Sequence, residues 1–171
     1  FVNAGSYVPR EKQQELLLQL RVLPEQSELV ISGSLPQGIA EEFYDEILPV
    51  CAERRVRVIL DISSPYLKEL LRYRPLLIKP NDDEVQKVFG FALDTEAEVR
   101  EAMRALRDMG AQNVLLTMGE KGSWFSNGTE LYHCGVQPVR LVSSACAGDA
   151  ALAAFLSSWL QTADIAQALK K

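Results

Sequence analysis

The sequence predicts an α/β fold: a mainly parallel sheet with helices on both faces and one late β-hairpin. Three observations predict it. Short apolar runs of strand length, "ELVISGS", "VRVILD", "LLIK" and "NVLLTM", alternate with longer segments whose apolar residues recur at helical spacing. Small or polar residues follow each strand-like run, as they do where parallel strands hand over to connections. The alternation stops after "NVLLTM", where Asn127-Gly128 stands between two β-prone runs in "SWFSNGTELYH" and marks a hairpin turn.

Each element follows in order. Pro9 in the first turn starts a helix over "REKQQELLLQL", and "ELVISGS" reads as a short buried strand ending in small residues. "AEEFYDEILPVCAERR" is helical with Pro49 as a kink or break, "VRVILD" is a strand, "PYLKELLRY" a helix and "LLIK" a strand. "DDEVQKVFG" and "TEAEVREAMRALRDMG" are the next helices. Thr95 and Glu98 make a capping box for the second, and Gly110 supplies its left-handed C-terminal stop. The last long helix runs from Gly148 to about Leu160, and Ile165, Ala166 and Leu169 still repeat with helical spacing.

Composition bounds the function. A chain of 171 residues, 47% hydrophobic and 24% charged, buries one good core. Its 18 basic and 23 acidic residues give a net charge of −5 without a basic block, so nucleic acid is not an expected partner. The apolar stretches are interrupted well before the ~20 residues a bilayer crossing needs, and no basic-then-apolar leader is present. No membrane association and a cytoplasmic location are expected. Three cysteines without a C-x-x-C pair and a single histidine, His133, exclude a His/Cys metal cluster. His133 reads as an ordinary strand or loop residue. The chain opens at Phe1 without an initiator Met and stops at Lys171 inside a helical repeat, so a piece of a longer protein is expected.

Ligands of such sheets gather at the carboxyl ends of the strands. Those ends carry Ser32-Gly33-Ser34, Asp61, Lys79-Pro80-Asn81 and Thr117-Met118-Gly119. Each has a local explanation: a Gly/Pro turn, Asp61 and Asn81 as caps of the helices after them, and "TMGEKG" as a glycine-eased connection. Together with the Gly148-Asp149 helix start they collect unpaired N–H groups and a carboxylate around one crevice, which suits a polyphosphate. Neither the Walker pattern nor the G-x-G-x-x-G fingerprint is present.

"SGSLPQG", "IKPNDDE", "TMGEKG" and "SSACAGDAALAAFL" together resemble the motifs of the PfkB (ribokinase-like) carbohydrate kinases in order and spacing, over about Ser32 to Leu156. The SGSLP-type strand end and the IKPNxxE run are most similar to the branch containing 1-phosphofructokinase and tagatose-6-phosphate kinase. The resemblance implies a ribokinase-like fold in which residues 1–171 form the C-terminal, nucleotide-binding and catalytic part of a single kinase domain. The N-terminal substrate and lid region is lacking, and this piece alone is expected to be inactive. The implied reaction is ATP-dependent phosphorylation of a sugar-phosphate hydroxyl with Mg2+; the partner is a small-molecule sugar phosphate, and a homodimer of the intact protein is left open.

The resemblance also implies roles. Asp149 is the catalytic base, and the backbone N–H groups of Cys146, Ala147 and Gly148 form the anion hole. Asn81 and Glu84 match the N-x-x-E motif, associated with the nucleotide and, for Glu84, with the water shell of Mg2+. Thr117, Gly119 and Gly122 match a T-x-G-x-x-G turn along the ATP phosphates, with Met118, Glu120 and Lys121 inside it. Lys79 and Lys121 are positive neighbours, Lys121 equally a solvated surface residue. Cys146 departs from the motif, which has glycine there, and its Cβ is expected to be tolerated only at negative φ or with a shifted loop. Two further readings stay open on the sugar side and on turnover: a kinase of a simple sugar, and a module that binds nucleotide without catalysis. A Rossmann-type oxidoreductase has only the α/β rhythm in its favour.

Overall fold

Apolar side chains on alternate positions of the central strands divide the core into two layers, one on each face of a six-stranded sheet. The computed structural model describes residues 5–136 and 146–170. In chain order the elements are α1 (Arg10–Arg21), β1 (Glu28–Ser32), α2 (Tyr44–Glu53), β2 (Arg57–Asp61), α3 (Leu67–Leu70), β3 (Leu77–Ile78) and α4 (Asp82–Glu84). There follow α5 (Glu96–Asp108), β4 (Val114–Thr117), β5 (Ser123–Ser126), β6 (Leu131–Cys134), α6 (Ala147–Thr162) and α7 (Ile165–Ala168). The strands lie in sequence order; β1 to β4 pair in parallel, and β4, β5 and β6 pair antiparallel. This is the expected fold, late hairpin included.

Val58 and Leu60 of β2, Ile78 of β3 and Val114 and Leu116 of β4 face the layer that holds α2 and α5. Val99, Ala102, Met103 and Leu106 form the buried stripe of α5, at positions i, i+3, i+4 and i+7. Ile59, Leu77, Leu115 and Phe125 face the other way, onto Leu152, Phe155 and Leu156 of α6 and Ile165 and Ala168 of α7. Phe125 of β5 lies 5.3 Å from Phe155 and 5.6 Å from Trp159 between ring centroids. These tilted and edge-on contacts fix where α6 crosses the sheet.

Several local expectations are refined. β1 is the edge strand and alternates exposed with half-buried positions, so the expected buried strand is corrected. Leu29 and Ile31 pack on the core, but Val30 is 44% exposed because nothing among the described residues covers that face. α2 runs through Pro49 without a break and is preceded by a single 3-10 turn, Glu41–Phe43. α3 is only four residues long before it tightens into a 3-10 turn, Leu71–Tyr73, closed by a left-handed Arg74. α4 likewise passes into a π-turn, Val85–Phe89, that ends at left-handed Gly90. The Asn127-Gly128 hairpin uses four connecting residues, with Asn127 Oδ1 accepting from the backbone N–H groups of Thr129 at 3.1 Å and Glu130 at 2.9 Å. No helix of the described residues is long and apolar enough to cross a membrane.

The ends of α5 are built as its sequence implies. Thr95 and Glu98 exchange capping bonds, while the N–H groups of Gly110 and Ala111 return to the carbonyls of Arg107 at 2.8 Å and Leu106 at 3.3 Å. Gly110 has φ +135, and a Cβ there would lie 2.0 Å from the Leu71 carbonyl oxygen. Backbone meets backbone at this point. Gly110→Ala is expected to destabilise the intact protein by about 2–4 kcal/mol, through strain and displaced backbone. Thr95→Ala, which removes only a cap, costs about 1 kcal/mol. Denaturant titration of the two variants checks the order; equal losses would show that the Leu71 segment moves freely.

Candidate functional site

Parallel pairing brings the carboxyl ends of β2, β3 and β4 to one edge, and short backbone links continue the pairing beyond them. The Lys79 N–H donates to the Leu60 carbonyl at 3.0 Å, and the Thr117 N–H to the Pro80 carbonyl at 3.1 Å. Asn81 and Thr117 form a further parallel bridge. Lys79 is thereby set beside Asp61. Its Nζ lies 3.0 Å from Asp61 Oδ1, with the two side chains 6% and 13% exposed. Asp61 therefore caps no helix; it neutralises a buried ammonium.

That ammonium also meets α6. A Cβ built on Gly148 would lie 3.3 Å from Lys79 Nζ, so the absence of a side chain at position 148 lets the cation approach the first turn. The first intrahelical bond runs from the Ala150 N–H to the Cys146 carbonyl at 3.0 Å, and the Cys146 side chain does not cap the helix. Ala147, Gly148 and Asp149 consequently present N–H groups without an intrahelical acceptor, at the positive end of a 16-residue helix. Burial pushes the Asp61 carboxyl above the usual carboxylate range; Lys79 pulls it back, and the charges of Asp149 and Glu84 raise it further. Four charged side chains thus share one field.

Asn81 and Glu84 are joined by a capping box: Asn81 Oδ1 accepts from the Glu84 N–H at 2.8 Å, and Glu84 Oε2 from the Asn81 N–H at 2.9 Å. The Ser63 hydroxyl donates to the other Glu84 oxygen. The turn after β4 closes on itself through Met118 N–H to Gly122 carbonyl at 2.8 Å and Gly122 N–H to Gly119 carbonyl at 3.1 Å. Its two glycines differ. Gly119, at φ +52, has open space where a Cβ would stand, whereas a Cβ on Gly122, at φ +87, would lie 2.1 Å from the Cys134 carbonyl oxygen. Met118 puts its side chain in the core, and Glu120 and Lys121 are exposed. His133 stacks on Trp124 with centroids 4.3 Å apart and sets Nε2 3.1 Å from the Lys121 carbonyl, a bracing role from an ordinary strand position.

The structure therefore gathers Lys79, Gly148 and Asp149 around one point, with Asn81, Glu84 and Thr117 on the same edge. Residues 143–145 of the quoted segment lie outside the described residues. Cys146 does not satisfy the expectation of negative φ. It has φ +60 and ψ 9, so a Cβ-bearing residue occupies the left-handed region at a cost of roughly 1–2 kcal/mol. From sequence, Asp61 reads as a strand end and a helix cap, with no part in the site. The available signal was an acid and a lysine ending strands that turn out to be neighbours. A cavity of about 330 Å³ opens between the β4–β5 edge and α6, lined by Leu115, Thr117, Ala150, Ala154, Phe155 and Leu169 among others.

The profile of the pfkB family carbohydrate kinases matches residues 1–171. A D-tagatose-1-phosphate kinase of Klebsiella oxytoca is 51% identical over 98% of this chain and 55% of its own length. A 1-phosphofructokinase of Bacillus subtilis is 31% identical over 90% of this chain and 50% of its own. Phosphofructokinase-2 of Escherichia coli, solved in complex with substrates and products, superposes with a TM-score of 0.90 at 25% identity, over 99% of this chain and 56% of that one. The chain spans about half the length of the curated relatives it matches.

Thiol reactivity reports on the start of α6. Cys146 is exposed at the positive end of the helix, whereas Cys51 is 1% exposed and burial pushes its thiol up to about 11. Cys134 is half-buried, its Sγ donating to the Gly135 carbonyl at 3.5 Å. A thiol-alkylating reagent at neutral pH is expected to label Cys146 first and Cys51 last, read by mass spectrometry of the peptides. Faster labelling of Cys51 would contradict the burial described.

Proposed function

Because the chain belongs to the pfkB family of carbohydrate kinases, we propose that the intact protein transfers the γ-phosphoryl group of ATP to a hydroxyl of a ketohexose 1-phosphate. Residues 1–171 supply its nucleotide-binding and catalytic part. The observation that carries this reading is the buried Lys79 ammonium set against the first turn of α6, with the Asp149 carboxylate on the same turn. A cation and a helix N-terminus converging on one point favour a strongly anionic ligand. The carboxylate beside them supplies a proton acceptor. The relative named D-tagatose-1-phosphate kinase, at 51% identity, supports the choice of acceptor and favours tagatose 1-phosphate over the 6-phosphate that the motifs suggested. Fructose 1-phosphate is the next candidate.

In this reading Asp149 takes the proton of the sugar hydroxyl while the hydroxyl oxygen bonds to the γ-phosphorus. The bond from that phosphorus to the bridging oxygen breaks, and ADP leaves with the electron pair. The N–H groups of Cys146, Ala147 and Gly148 receive the charge that accumulates on the phosphoryl oxygens. The Thr117–Gly122 turn follows the remaining phosphates, and the cavity lined by Leu115, Ala154 and Phe155 takes the base. Both Glu84 oxygens already accept hydrogen bonds, and no group of three or more metal-binding side chains is assembled among the described residues. That donor set fits Mg2+ held through its waters near Glu84 and Asn81, not a protein cage. Bound there, the ion would neutralise phosphate charge. The left-handed Cys146 favours a second reading, a module that binds nucleotide without turnover, since the loop of the anion hole carries strain.

Two experiments on the intact protein decide. Asp149→Asn should lower kcat by roughly 10²–10⁴ and leave ATP affinity within a few-fold. Retained kcat would remove Asp149 as the base, and a wild-type protein that binds ATP yet phosphorylates no ketohexose phosphate would favour the second reading. The glycines of the turn separate phosphate contact from packing. Gly119→Ala should cost about 1 kcal/mol of stability while raising the KM for ATP several-fold, because only strain and the phosphate path are touched. Gly122→Ala should lose more stability than that, since its Cβ meets the Cys134 carbonyl. The reverse order in a thermal melt would show that the turn is not held by that contact.

A further inference from the structure

The Lys79–Asp61 pair is an unusual thing to bury at the end of a strand whose other residues are apolar. Buried ion pairs are replaceable by packed apolar side chains at little loss, because desolvation of both charges offsets their attraction. Its position also runs against the helix dipole: a lysine ammonium close to Gly148 lies at the positive end of α6. Something must hold it there. Glu84 is engaged elsewhere: one oxygen accepts from the Ser63 hydroxyl and the other from the Asn81 N–H, the bond that closes the capping box. Asp149, which follows Gly148, is the exposed carboxylate of that turn, and an ion pair with Lys79 would weaken it as a proton acceptor. Asp61 ends β2 and is the ion-pair partner of Lys79 among the described residues.

We propose that Asp61 is a positioning residue for phosphoryl transfer: it holds the Lys79 ammonium against the first turn of α6, fixed before substrates arrive and facing the group to be transferred. Lys79 has three N–H donors, of which Asp61 occupies one. In this reading the others go to phosphoryl oxygens, and the glycine at 148, where a Cβ would lie 3.3 Å from Nζ, keeps that approach clear. Asp61 acts through Lys79 alone and leaves Asp149 unpaired for its own role. This inference rests on the kinase reading above.

The test is a double-mutant cycle in the intact protein, with kcat and KM measured on tagatose 1-phosphate and MgATP, ADP affinity measured separately, and a thermal melt of each variant. Asp61→Asn and Lys79→Met are each expected to lower kcat about 10²-fold, the scale of one lost oxyanion donor, with ADP affinity within about threefold. The double variant should be no slower than Lys79→Met alone. If Asp61→Asn fails to fold because a buried ammonium is left unpaired, the comparison of the double variant with Lys79→Met, both free of that charge, still decides. A double variant slower than Lys79→Met, or full kcat in either single variant, overturns the proposal and leaves the kinase reading standing. A wild-type protein without turnover overturns both.

Discussion

Parallel pairing of β2, β3 and β4 is the constraint on which the rest of the molecule depends. It takes three strand ends separated by long stretches of chain and sets Asp61, Lys79 and Thr117 side by side on one edge. β3 contributes only two residues to the sheet, so its register has little backbone to specify it. The apolar alternation does the specifying. Leu77 faces α6 and Ile78 faces α5, and a slip of one residue would exchange the layers and turn Lys79 away from Asp61.

The second layer then brings α6 to that edge. Phe125, Phe155 and Trp159 lock the helix against β5, with Phe155 and Trp159 centroids 5.4 Å apart. Their contact fixes how far the N-terminus projects past the strand ends, and hence that Gly148 reaches Lys79. Packing distant from the chemistry therefore sets the geometry of the charges. The electrostatics follow from it: one ammonium and one helix N-terminus stand against Asp61, Glu84 and Asp149, a balance that leaves little room for change at any single group.

What the sequence disclosed and what it withheld have separate physical causes. The parallel sheet, the capping box at Thr95, the cap at Asn81 and the hairpin are local patterns, so period and turn chemistry were enough to read them; that Glu84 completes a second box came from the structure. The four strand ends were legible as well, because small and polar residues interrupt apolar runs there. The Asp61–Lys79 pair was not legible, since it joins residues on two strands and depends on their register. The exposure of β1 was misread for a related reason: an apolar run looks the same at the edge as in the centre, and only the neighbours distinguish them. Short helices such as α3 and α4 were overestimated in length because helical spacing does not announce where a turn tightens or widens.

Backbone strain is distributed unevenly around the site. Gly119, Gly122 and Gly148 occupy positions where a side chain would strain the backbone or close an approach, each for a different reason: a left-handed turn, contact with β6 and access for Lys79. Among the described residues of this edge, Cys146 alone carries a side chain at positive φ. A residue in that conformation persists where its surroundings over-determine it. Here the Cys146 carbonyl takes the first helical bond, from Ala150, and the aromatic contacts of Phe155 and Trp159 hold the helix in place beyond it. The strain at the entry to α6 is thus sustained by the same packing that sets its N-terminus against Lys79, so the stability of that layer and the geometry of the anion site are coupled through one helix.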